Sequence, residues 1–110
     1  MAYIRRFTSP TQELVVENID LTQSDVYVTY KQGRTILNLS GEDIEMETEV
    51  VDDQTNTVIS VYMSQETTAA FRTNEDIEVQ VNWLTDGERN ATVIAKVGVQ
   101  KNLLEEVIRE

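Results

Sequence analysis

A chain of 110 residues has room for one domain, 1–110, with a core large enough to stand without disulfides or metal. It holds no cysteine and no histidine, which excludes thiol nucleophiles, thiolate zinc sites and any triad or general base built on imidazole. Twenty acidic residues against nine basic ones give a net charge of −11, so a duplex-binding surface and an anionic membrane surface are both excluded as partners.

Taken in chain order, the sequence predicts seven or eight short strands. Tyr3 to Thr8 reads as the first, ended by Ser9-Pro10, because proline cannot donate to a central ladder. The opening Met1-Ala2-Tyr3-Ile4-Arg5-Arg6 lacks the apolar stretch of a signal peptide. Gln12 to Asn18 follows, with Leu14 and Val16 on one face. Val26, Val28 and Tyr30 then alternate with Tyr27 and Thr29, and Lys31-Gln32-Gly33-Arg34 turns the chain into Thr35–Leu39, which predicts a hairpin. Ser40-Gly41-Glu42 punctuates the pattern.

Ile44, Met46 and Thr48 next alternate with Asp43, Glu45, Glu47 and Glu49. Asp52-Asp53-Gln54-Thr55-Asn56 reads as a polar loop, and Asn56-Thr57 opens a strand in which Ile59, Val61 and Met63 share a face opposite Ser60 and Tyr62. Ser64 is a helix N-cap candidate before Gln65-Glu66-Thr67 and the apolar Ala69-Ala70-Phe71, a short crossover plugging one end of the fold. Ile77, Val79, Val81 and Trp83 then face Val93, Ala95, Val97 and Val99 across a Thr85-Asp86-Gly87-Glu88 turn, a complete hairpin. In the last ten residues Leu103, Leu104, Val107 and Ile108 fall at spacings of three and four, a C-terminal helix candidate with an apolar stripe that must dock on a surface or else continue the last strand. Together these elements predict an all-β, antiparallel, immunoglobulin-like sandwich with one helical crossover.

Three residue groups could carry chemistry. Asp43, Glu45, Glu47 and Glu49 would line one strand face about 6–7 Å apart, a spacing open to calcium, to a glycosidase acid and base or to a basic partner. Carboxylates on a strand diverge, whereas calcium needs converging oxygens, so a solvated face that discourages edge pairing is the expectation. Asp52-Asp53 with Asn56 lacks the glycine and distal glutamate of a calcium loop and reads as turn chemistry. Trp83 with Tyr27, Tyr30 and Tyr62 could stack sugars, but Trp83 shares the parity of Val79 and Val81 and belongs with the core. Tyr27 and Tyr62 fall on outer faces. No serine or threonine has a base near it in sequence and no phosphate loop exists, so no enzyme, cofactor, metal site or small-molecule substrate is expected. The N-x-S/T tripeptides Asn38-Leu39-Ser40 and Asn90-Ala91-Thr92 occur without a leader and carry no argument.

The order of features carries a resemblance: Ile4-Arg5-Arg6-Phe7-Thr8-Ser9-Pro10-Thr11, Val28-Thr29-Tyr30-Lys31-Gln32-Gly33, Ser64-Gln65-Glu66-Thr67 leading to Phe71, Val79-Gln80-Val81-Asn82-Trp83, and Lys96-Val97-Gly98-Val99. In this the chain resembles small proteins of the structural-gene clusters of tailed phages and prophages of Gram-positive bacteria, and is similar in layout to the N-terminal β-sandwich of their baseplate upper proteins. The resemblance implies a tail- or baseplate-associated assembly protein, made in the bacterial cytoplasm and joining a virion, that binds a protein partner or itself. Leu103, Leu104, Val107, Ile108, Tyr27 and Tyr62 are the expected interface residues. The alternative is a small module binding carbohydrate or calcium.

Overall fold

The computed structural model describes residues 2–92 and 94–109; Met1, Val93 and Glu110, the last two expected in the second hairpin arm and the C-terminal helix, lie outside the described residues. The chain folds as an all-β sandwich of two sheets. The first contains β1 (Ala2–Arg5), β9 (Ala95–Gln100), β7 (Ile77–Thr85), β3 (Asp25–Gln32) and β4 (Thr35–Ser40) in that order, with β8 (Glu88–Ala91) added beside β7. The second is β2 (Thr11–Val16), β6 (Gln54–Tyr62) and β5 (Ile44–Val51). All neighbours are antiparallel except β1 and β9, which run parallel.

The period of two decides which side chains meet between the sheets. Val28, Tyr30, Ile77, Val79 and Val81 of the first sheet pack against Val16, Ile44, Ile59 and Val61 of the second. Trp83 packs half-buried at the margin of this cluster, on the parity of Val79 and Val81. Leu21, in the connection leading to β3, and Phe71, just after the crossover helix α1 (Gln65–Ala69), are almost completely buried at the two ends of β3. Ser64 caps α1 as expected, its Oγ accepting from Thr67 N at 3.2 Å.

Three turns show why the strands end where they do. Gly33 takes φ +57 at the β3–β4 turn, so the backbone there favours glycine, and the Arg72 guanidinium lies over the position where a Cβ would stand. Asp86 and Gly87 both have positive φ, the type I′ geometry that matches strand twist. Asp52 and Asp53 do the same at φ 51 and 64, so the expected five-residue loop is a two-residue turn and β6 starts at Gln54.

Two further expectations are corrected. The second hairpin is not continuous. β8 pairs with β7 in the register Thr85↔Glu88 and Asn82↔Ala91, whereas β9 pairs as Val79↔Ala95 and Ile77↔Val97, a register shifted by one residue. This is the signature of a β-bulge, which returns Val97 to the core side after the polar β8. Thr92 bridges the shift, its N–H donating to Val81 O and its Oγ1 accepting from Val81 N.

The predicted C-terminal helix is also absent: residues 101–109 form an extended, bent strap. So short a helix is marginal in water, and side chains offer its backbone other partners. Asn102 Oδ1 accepts from Leu104 N at 3.2 Å, and Gln65 of α1 pairs with both backbone groups of Ile108, at 2.8 and 3.0 Å.

Candidate functional site

Surface, not cleft, is where this protein has something to offer. The first sheet turns outward Tyr27, Thr29 and Lys31 of β3, Glu78, Gln80, Asn82 and Leu84 of β7, Asn38 of β4 and Lys96 of β9, alternating with the core set. Over them runs a shallow groove in two adjoining hollows. One, of about 320 Å³, is lined by Tyr27, Asn38, Trp83, Leu84 and Arg89, among others; the next, of about 410 Å³, by Lys31, Glu78, Gln80 and Ile94. Thr29, Asn82 and Arg89 border both. The β8 strand raises Arg89 at the side of the groove, where its Nε and Nη2 donate to Asn82 Oδ1.

The second sheet faces the other way with a different chemistry. Its outward rows are Glu45–Ser60–Glu13 and Glu47–Val58–Val15, alternating with the inward rows Ile44–Val61–Gln12 and Met46–Ile59–Leu14. Tyr62 stands beside them, its phenol donating to Glu45 Oε2 at 3.0 Å. That bond, together with the charges of Glu45 and Glu47, raises the phenol above its ordinary pKa of 10. Glu45, Glu47 and Glu49 thus share a face as expected. Asp43 does not join them: it sits in a 3₁₀ turn, Gly41–Asp43, where its carboxylate accepts from Ser40 N at 3.5 Å. Among the described residues no three acidic side chains are close enough to hold a metal ion.

The sugar-stacking quartet is not assembled. Tyr30 is fully buried, its OH donating to Gln12 Oε1 at 2.8 Å; Tyr62 is on the acidic face; only Tyr27 and Trp83 border one groove. Tyr27 and Tyr62, at 48% and 46% exposure, therefore belong to opposite faces and not to one patch.

The C-terminal residues lie elsewhere again. Leu103 is 94% exposed, Leu104 and Ile108 are exposed, and Val107 is half-buried. A polar clasp fixes the strap: Arg6 pairs with Glu105 and also donates to Ala69 O at 2.9 Å, while Asn102 Nδ2 donates to Arg6 O. Sequence reading missed a further apolar feature. The β5–β6 hairpin runs past the end of β2, leaving Val50 and Val51 exposed at its tip. Only the register of the assembled sheet reveals that no partner covers them.

Fold and surface together define a two-sheet β-sandwich with one acidic face, one grooved face and an apolar strap. No protein-family model matches the chain, and no curated protein sequence matches it.

Proposed function

We propose that this protein is a non-enzymatic assembly module that acts by docking on other protein chains, in the manner of the tail- and baseplate-associated phage proteins it resembles. The observation that carries this reading is the strap. Leu103 stays in water although full burial would be worth roughly 1.5–3 kcal/mol, Leu104 and Ile108 remain partly exposed beside it, and all three are displayed on a backbone held in place by Arg6 and Gln65. A segment ordered by polar contacts, with its apolar side chains left out, suits capture of a protein surface. The acidic charge and the resemblance to prophage structural proteins agree with a soluble precursor that joins a larger particle.

Light scattering coupled to size exclusion tests this on the full chain and on the double variant Leu103→Asp/Leu104→Asp. The wild type is expected to form a defined oligomer that persists at ~1 M salt, where charge contacts are screened out within about 3 Å. The variant is expected to lose that oligomer while keeping its circular dichroism. A wild-type protein that stays monomeric at every concentration and salt sinks self-assembly through the strap.

A further inference from the structure

The two outer faces are complementary to each other. Among the described residues Arg5, Lys31, Arg89 and Lys96 are the only lysines or arginines on any strand, and all four belong to the first sheet, whose strands carry three carboxylates, Asp25, Glu78 and Glu88. All are exposed, and among the described residues none is within salt-bridge distance of a carboxylate. The strands of the second sheet carry Glu13, Glu45, Glu47 and Glu49 and no cation. Lys31 and Arg89 line the groove on one side of the sandwich, with Glu78 across the ladder from Lys31, and a row of carboxylates occupies the other side, Glu45 among them accepting from Tyr62.

We propose that the groove of the first sheet receives the outer face of the second sheet of another copy of this chain, with Lys31 and Arg89 set against Glu45 and Glu47. This inference rests on the assembly reading and names a partner for it. The contact joins two different patches on opposite sides of the molecule, so it is heterologous: each copy that docks leaves a free face at both ends, and the series closes as a ring or runs on as a filament. The apolar groups on each face fit the same arrangement. Tyr27 and Leu84 in the groove and Val15 and Tyr62 on the acidic face are all exposed, ready to be buried between the paired charges.

Net charge sets the conditions. At ~10 mM salt the Debye length is about 30 Å, as large as the 28 × 25 Å cross-section of the molecule, so each copy feels the whole −11 of the next. At ~0.1 M it falls to about 10 Å, and only charges facing each other across the contact still act. Association through these faces is therefore strongest near ~0.1 M and is lost toward ~1 M. The strap contact, being apolar, keeps its strength there.

The experiment measures solution mass against salt for the wild type and two charge-reversed variants, Lys31→Glu/Arg89→Glu and Glu45→Lys/Glu47→Lys. The wild type should gain mass between ~10 mM and ~0.1 M salt and lose that gain by ~1 M. Each variant alone should show no such gain, and an equimolar mixture of the two should recover it. Both variants remain net negative, so general attraction does not explain recovery. Circular dichroism and melting temperature confirm that each is folded. A salt-independent oligomer that both variants keep overturns this contact and leaves the strap reading standing; a wild-type monomer at all salts overturns both. Wild type that stays monomeric at ~0.1 M but binds a poly-glutamate peptide overturns the second copy as occupant.

Discussion

Among the described residues four polar side chains, Gln32, Asn56, Thr57 and Thr68, are buried, and each ties down a stretch of chain that no ladder holds. Gln32, 2% exposed, accepts from Arg72 N at 2.6 Å and donates to Arg72 O and Glu75 O at 2.7 and 2.8 Å, fixing the connection from α1 to β7. Thr57 bridges Ile19 O and Leu21 N, Asn56 holds Asn18 N, and Thr68 of α1 exchanges bonds with both backbone groups of Thr8. Such groups are expensive to leave unmade, at about 1–3 kcal/mol for each orphaned partner. Gln32→Leu, which strands three backbone groups, should cost about 3 kcal/mol or more in urea unfolding, and Thr57→Val, which keeps the shape, should cost about 1–3 kcal/mol. A loss below the scatter of the measurement in both would mean that water replaces these side chains. Tyr62 gives a second residue-scale test. Its bond to Glu45 favours the neutral phenol, so the folded-state pKa lies above the unfolded one. The bond's contribution is complete below about pH 10 and disappears as pH rises through the folded value. Ultraviolet titration should show Tyr62 ionising above the ordinary phenol value of about 10, and Glu45→Ala, which removes both the acceptor and its charge, should bring it earlier; no change on that substitution removes Glu45 as the cause.

Strands were legible from sequence because alternation is a local signal, and Val26-Val28-Tyr30 or Ile77-Val79-Val81 state their buried face outright. Ser64 at the start of α1 was legible for the same reason. What escaped the reading depends on distant chain. The turn at Asp52-Asp53 lacks the Asn-Gly or Asp-Gly signal, yet eight ladder pairs between β5 and β6 hold both aspartates at positive φ. The bulge near Thr92 shows only in the registers of β8 and β9 on the same strand β7. The apolar spacing of Leu103 to Ile108 is a true helical pattern with no surface to receive it, so Arg6, Gln65 and Asn102 decide the outcome. The same three side chains predict the strap's behaviour. Substituting Gln65→Ala should speed amide exchange at Ile108 and release the strap, while exchange in β3 and β7 stays unchanged, because the sandwich core lies elsewhere. Equal acceleration in the core strands would show that strap and sandwich open as one unit.

At the scale of the molecule, the first sheet is closed by the two ends of the chain. β1 lies parallel to β9, in the register Ala2↔Val97 to Arg5↔Gln100, and Ile4 beneath it is fully buried. Arg5 Nη2 reaches Gln100 Oε1 at 2.8 Å, Arg6 N donates to Gln100 O, and Asn102 returns a bond to Arg6 O. Pairing across almost the full length of the chain bears the largest loop-closure cost and is rewarded only when β7 is already in place to receive β9. Folding is therefore expected to assemble β3, β4 and β7 first and to add the β1–β9 edge late. Destabilising that edge with Ile4→Ala should then raise the unfolding rate and leave the folding rate nearly unchanged. Val28→Ala, in the strand that joins β4 to β7, should slow folding. Stopped-flow chevrons on the two variants decide the order: a slowed folding arm for Ile4→Ala would place the meeting of the chain ends in the nucleus.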